Sequence, residues 1–321
     1  MIKTGTTTFA DMYYHEDQVA KTVEEAGLRA VLTQGTIEVG GPEIGEKTLE
    51  NSIDFATKHH GYADGRVTAR LGPHAVYTCS PELLTKVHEA ASKLNLGIHI
   101  HLAESKELTK QVKQKYRTTE VELLKKIGFL GPDVLAAHCI HLTSKEMKLL
   151  ATHDVRVAHN PVANMKLAQG VAKIKDLKEL GVTVGLGTDG PASNNSLDMF
   201  ETMKVTALLQ KLHYNDPTVL PAYTILKMAT IDAAKALGIE TFVGSLKVGK
   251  KADILLIDFK KAHLTPLHNV YANIVYSVHG SDVHTVIVNG NILMEDQEVK
   301  TLNEHNVIKE AQKTALKLMA Q

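Results

Sequence analysis

Tryptophan is absent from the 321 residues, cysteine occurs only twice, and aromatic residues make up 5%. Cys79 and Cys139 lie far apart with no CxxC spacing. That excludes a disulfide framework and a thiolate zinc site, and it points to a reducing, cytoplasmic setting. Net charge is missing too, since Lys+Arg and Asp+Glu both number 36. Neither sign is in surplus to hold a nucleic acid or an anionic membrane, so the expected partner is a small, roughly neutral molecule. No stretch of about 18 uncharged apolar residues occurs, and the opening MIKTGTTTFADMYY has no apolar run of signal-peptide length. A membrane or export role is therefore not indicated. Neither GxGxxG nor GxxxxGKS/T follows any apolar run, which removes the usual support for a nucleotide-phosphate site.

What is present is globular in composition, with 44% hydrophobic and 22% charged residues. Short β-branched runs at 6–11, 29–33, 67–71, 97–101, 134–138, 156–159 and 182–187 alternate with polar segments of helical spacing. The helical segments include 80–94, with Ser80 as N-cap and Pro81 at the first position, and 144–153, with Ser144 placed to cap. Repeated strand–helix alternation implies an α/β fold with a mostly parallel sheet, doubly wound or closed into a barrel. Polar residues collect at the carboxyl ends of the runs, where a (β/α)8 barrel places its chemistry. Beyond Pro221 the pattern changes to a helix at 222–237, glycine-punctuated strands in GSLKVGKKADILLID and HTVIVNGNILM, and a helix at 303–320. The division read from this is a barrel over 1–243 and a small β-rich domain with a C-terminal helix over 244–321.

Seventeen histidines are distributed along the chain, and position must separate the useful from the incidental. In GIHIHLAES, His99 and His101 share a strand face and Glu104 follows just beyond. An HxH alone is as readily a pair of half-buried histidines. The next three strands, however, finish on His138, His159 and Asp189. Satisfied core histidines explain that poorly, and a convergent site at a barrel mouth explains it well. Nitrogen and carboxylate donors without thiolates suit Zn2+, with Mn2+ or Fe2+ as alternatives. A bound ion of this kind lowers the pKa of water to about 7, and Asp189 and Glu104 are the available base and acid.

The segments GTTTFADMY, PHAVYTCSPE, HIHLAES, AAHCIHL, HNPVANMKLAQG and GLGTDGPASNN, in this order, resemble the amidohydrolase superfamily, specifically its 5-methylthioadenosine/S-adenosylhomocysteine deaminases. The resemblance implies a TIM-like (β/α)8 metal-dependent hydrolase barrel with part of a small β-sandwich, one Zn2+ per subunit, and an adenine nucleoside as substrate. It implies that His101 and Asp189 bind the metal, while Glu104, His138 and Asp189 are catalytic. His74, Glu104, Asp189 and Ser193 would contact substrate, and His159 with Asn160 would only shape the loop. The implied reaction adds hydroxide to C6 of the purine as Glu104 protonates a ring nitrogen, and Asp189 then relays the proton that releases ammonia. Guanine deaminases and triazine chlorohydrolases share several of these motifs, and a non-catalytic purine-binding paralogue is the alternative from another class.

In the family resembled, a His-x-His pair on the first barrel strand lies upstream of the segment matching GTTTFADMY. Here that segment begins at Gly5, and Gln34 stands about where the family has an arginine. The expectation is a barrel lacking its first strand, impaired activity, and free sheet edges with an apolar seam that favour aggregation or a homo-oligomer, a dimer, covering the gap.

Overall fold

The computed structural model describes residues 1–319. Eight parallel strands form the main sheet: β1 (Thr8–Tyr13), β2 (Arg29–Thr36), β3 (Val67–Ala69), β4 (Gly72–Pro73), β5 (Ile98–Leu102), β6 (Val134–His138), β7 (Arg156–His159) and β8 (Val184–Leu186). β3 and β4 both pair with β2 and share one position, so eight strands fill seven places. Single bridges from Leu71 to Ile98 and from Ala75 to His101 carry the path across to β5. The order is therefore β1, β2, β3/β4, β5, β6, β7, β8, with helices on the outside, as in a TIM-like barrel. Among the described residues no strand bridges β1 and β8. Tyr13, at the end of that free edge, is 68% exposed.

Burial explains the strand sequences. Every residue of VLAAH in β6 is buried, as expected of a parallel strand covered on both faces. The helix Pro81–Leu94 starts as read, with Ser80 Oγ accepting from the Leu83 N–H at 3.2 Å. The helix Ser144–Thr152 corrects the sequence reading, because Thr143 and not Ser144 is its cap. Thr143 Oγ1 accepts from Glu146 N at 3.3 Å and Glu146 Oε2 accepts from Thr143 N at 2.7 Å. The T-x-x-E spacing of a capping box selects the threonine. The segment 222–237 is two helices, Ala222–Met228 and Ile231–Leu237, because Thr230 leaves helical geometry at φ −129° and ψ −100°.

A second, antiparallel sheet comprises β9 (Ile254–Ile257), β10 (Val283–Val288), β11 (Asn291–Glu295) and β12 (Glu298–Val299), in the order β12-β11-β10-β9. Its hairpin turns at Asn289 and Gly290, φ 52° and 84°, the paired positive values a two-residue type I′ turn requires. Gly27 lies so close to this sheet that a Cβ there would sit 2.5 Å from Leu293 Cδ2. The helix Val270–Tyr276 packs instead on the barrel helices Met199–Tyr214 and Ala222–Met228. The last helix, Glu304–Met319, buries none of its residues, and Ala320, included in the sequence reading, lies outside the described residues. No helix among the described residues is long and apolar enough to cross a membrane.

Candidate active site

The carboxyl ends of β4 to β8 bring the sequence-selected residues to one end of the barrel. His101 lies in β5 and Glu104 two residues past it, while His138 and His159 close β6 and β7. His74 follows β4, and Asp189 stands three residues beyond β8. Ring centroids are 4.8 Å apart for His74 and His101, and 5.5 Å for His101 and His138. His99 stacks on His101 at 6.2 Å, as two residues on one strand face should.

Hydrogen bonds fix the chemistry of these rings. His101 Nδ1 donates to the His74 carbonyl at 2.8 Å, and a carbonyl can only accept. The Nε2 of His101 therefore carries a lone pair. His138 Nδ1 likewise donates to Asn164 Oδ1 at 2.8 Å, and its Nε2 lies 3.8 Å from Glu104 Oε1. Glu104 Oε1 also accepts from Gln169 Nε2 at 3.1 Å. Asp189 Oδ1 accepts from the Gly190 N–H at 2.6 Å. Burial, reinforced by the neighbouring His138, holds His101 below the ordinary histidine range. Burial also depresses His99 and takes His74 down to about 4 and His159 to about 3. All four are neutral near pH 7, the state in which imidazole offers a lone pair.

The backbone around this cluster is bent. Ala103, His138, Cys139 and Asp189 have φ of 49°, 72°, 50° and 62°, the left-handed region that residues with a Cβ seldom enter. Such conformations cost of order 1–3 kcal/mol each and persist where surrounding bonds over-determine them. Here Cys139 N donates to Leu102 O at 2.9 Å and Ile140 N to Ala103 O at 3.0 Å. Those bonds lock the loop after β6 to the loop after β5.

Ser193 sits half-buried in the turn Pro191–Asn194 with its N–H on Gly190 O at 3.1 Å, and its hydroxyl has no bond to the other selected residues. His159 is fully buried with both ring nitrogens unpartnered, consistent with packing around the site. The side chain of Gln34 turns to the backbone, its Oε1 accepting from Glu16 N at 3.3 Å. Asn164, Gln169 and His141 were not selected from the sequence, although all three lie within the quoted motifs. Their role depends on how the segment after β7 packs against its neighbours, which no spacing rule reports.

Glu16 was missed as well. It is fully buried with both carboxylate oxygens unpartnered, and burial, then the charge of Asp11, raises its pKa from 4.5 to about 8. The folded chain keeps this proton after the unfolded chain has released it. The stabilisation this supplies is complete below pH 4.5 and is lost as the pH rises to about 8. Glu16→Gln removes the ionisation and is expected to raise stability by about 3–5 kcal/mol at pH 9 relative to its effect at pH 4. Urea melts at the two pH values test this, and an equal effect at both refutes it.

The donor chemistry suits a divalent transition metal, since His101 Nε2 is free and neutral and Asp189 offers a second carboxylate oxygen. In number the donors fall short, because no group of three or more His, Cys, Asp or Glu among the described residues is arranged to hold an ion. Three protein ligands are normal for catalytic zinc.

Comparison with known proteins agrees with the fold and the motifs. A 5'-deoxyadenosine deaminase of Methanosarcina barkeri is 51% identical over 319 residues, 99% of this chain and 73% of the relative. A 5-methylthioadenosine/S-adenosylhomocysteine deaminase of Moorella thermoacetica is 52% identical over 307 residues, 96% of this chain and 71% of the relative. The crystal structure of an adenosine deaminase from Xanthomonas campestris with bound zinc superposes with a TM-score of 0.95 at 28% identity, covering 100% of this chain and 73% of the other. The sequence model of the amidohydrolase family matches residues 1–293, and with these relatives it shows that the chain belongs to the amidohydrolase family, on a branch of hydrolytic deaminases.

Proposed function

We propose that this chain deaminates adenine nucleosides modified at the 5' position, of the 5'-deoxyadenosine, 5-methylthioadenosine and S-adenosylhomocysteine type, to the inosine analogue and ammonia. The observation that carries the reading is the meeting of Glu104 with His138 beside neutral His101, in a chain about half identical to relatives named for that reaction. Glu104 gives its proton to a purine ring nitrogen, which makes C6 electrophilic. Asp189 takes a proton from the attacking water and passes it to the exocyclic amine, the C6–N bond breaks, and ammonia leaves. The remaining hydroxyl proton returns to Glu104 as the C6 carbonyl forms. His138, held by Asn164, turns its Nε2 toward Glu104 and the reacting centre, where it accepts from the attacking water and orients it. His74 and Ser193 are assigned to substrate contact.

His101 and Asp189 are the residues assigned to a divalent ion, one Zn2+ per chain with Mn2+ or Fe2+ as alternatives. Bound there, an ion of this kind supplies Lewis acidity toward water. The proposed division places the chemistry in residues 1–243 and leaves 244–321 as a supporting β-rich domain. Two buried thiols outside any disulfide, Cys79 and Cys139, suit a cytoplasmic setting. The free edges of β1 and β8 suit a homo-oligomer that covers them.

The test is a substrate panel with metal analysis and sedimentation on the same preparation. Ammonia released in step with an inosine-type product from 5'-deoxyadenosine or 5-methylthioadenosine, and lost on chelation, is the expected result. Turnover confined to guanine or a chlorotriazine transfers the reading to those reactions, and purine binding without turnover transfers it to a non-catalytic paralogue. A monodisperse monomer removes the oligomer.

A further inference from the structure

The loops after β5, β6 and β7 meet at one residue that the mechanism does not use. Gln169 lies at the end of HNPVANMKLAQG, after the short helix Pro161–Lys166. Its Nε2 donates to Glu104 Oε1 at 3.1 Å, on the same oxygen that faces His138 Nε2 at 3.8 Å. Its main-chain carbonyl accepts from His141 Nε2 at 2.7 Å, and His141 in turn donates its backbone N–H to Ala103 O at 3.0 Å. Ala103 immediately precedes Glu104. His141 thus ties both the loop that carries Glu104 and the loop that carries its amide partner. Gly170, at φ 120°, allows the chain to pass, since a Cβ there would lie 3.2 Å from Ile140 Cγ2 and 3.4 Å from His141 Cε1.

We propose that Gln169 is a positioning residue for the deamination, holding Glu104 where its carboxyl meets the purine ring, and that His141 holds Gln169. The proposal rests on Glu104 being the acid that reads the purine. A carboxylate on three rotatable side-chain bonds is free to swing away from His138, and one charge-assisted hydrogen bond removes that freedom. The amide is suited to the task because it donates to Glu104 in either protonation state without adding a charge next to His101.

Gln169→Leu removes the donor, and Gln169→Glu keeps the shape but places an acceptor opposite an acceptor. Both are expected to lower kcat/KM for 5'-deoxyadenosine roughly 10–100-fold, chiefly in kcat, with KM changed by less than about threefold. In a Glu104→Gln background, Gln169→Leu is expected to add no further loss, because the group it positions is already gone. Full activity in Gln169→Leu, or an equal loss with and without Glu104, overturns the proposal, since a packing role gives additive losses. If the wild-type chain turns over no adenine nucleoside, it is the functional reading that fails. Crystal structures of wild type and Gln169→Leu then decide positioning: a displaced Glu104 carboxylate supports it, and a carboxylate left in place beside His138 overturns it.

Discussion

Glu104→Gln is expected to lower kcat for 5'-deoxyadenosine by about 10²–10⁴-fold, the usual contribution of a positioned acid or base. Gln is isosteric with Glu and its amide oxygen can still accept from Gln169 Nε2, so the replacement leaves no buried donor stranded. What is lost is the proton that a purine ring nitrogen must receive before C6 becomes electrophilic. Substrate binding, which draws on the whole pocket, should change far less than kcat. Steady-state kinetics with a thermal melt on the same sample separate the effects. A variant within about threefold of wild type, folded and equally stable, would remove Glu104 from the reaction, since no acid of catalytic weight is lost so cheaply.

Much of this fold was legible because parallel strands covered on both faces read as continuous β-branched or small apolar runs. The runs at 134–138 and 156–159 coincide with β6 and β7. The run at 67–71 became β3 plus a single bridge at Leu71, because the strand position is shared with β4. Periodicity could not choose between an open sheet and a barrel, because both demand the same alternation. The choice came from polar residues gathering at strand ends, and the order of β1 to β8 agrees with it. His101, Glu104 and His138 come together as expected, because each lies in or just past a strand whose register is fixed by its buried neighbours. Gln169 and Asn164 were not legible as partners, for amides occur everywhere and theirs meet Glu104 and His138 only through 65 and 26 residues of chain. The left-handed backbone at Ala103 and His138 was equally hidden, since neither residue favours that conformation and only the bonds between the two loops hold it. Ser144 illustrates a nearer limit: with Thr143 adjacent, composition offers two caps, and the glutamate three residues after the threonine decides.

Asp253→Ala is expected to destabilise the chain by about 3–5 kcal/mol, the penalty for stranding one member of a buried ion pair. Arg29, at the start of β2, donates from Nε to Asp253 Oδ2 at 2.9 Å and from its terminal nitrogen to Oδ1 at 3.1 Å. The side chains are 9% and 4% exposed, so water cannot replace the lost carboxylate. Asp253 Oδ1 also accepts from Asn289 N at 2.8 Å, in the turn between β10 and β11. One carboxylate therefore fastens the barrel to the small sheet and anchors that sheet's hairpin. Replacing both charges, as in Arg29→Met with Asp253→Leu, should recover most of the loss, because an intact buried pair is close to neutral against apolar packing. Recovery should stop short by about 1–3 kcal/mol, the cost of the Asn289 N–H left without an acceptor. The active site lies at the opposite, carboxyl ends of the strands, so kcat measured well below the melting temperature should be unchanged in both variants. Urea denaturation reads the two free energies, and a single-variant loss under about 1 kcal/mol would mean that the guanidinium finds water or another acceptor once the carboxylate is gone.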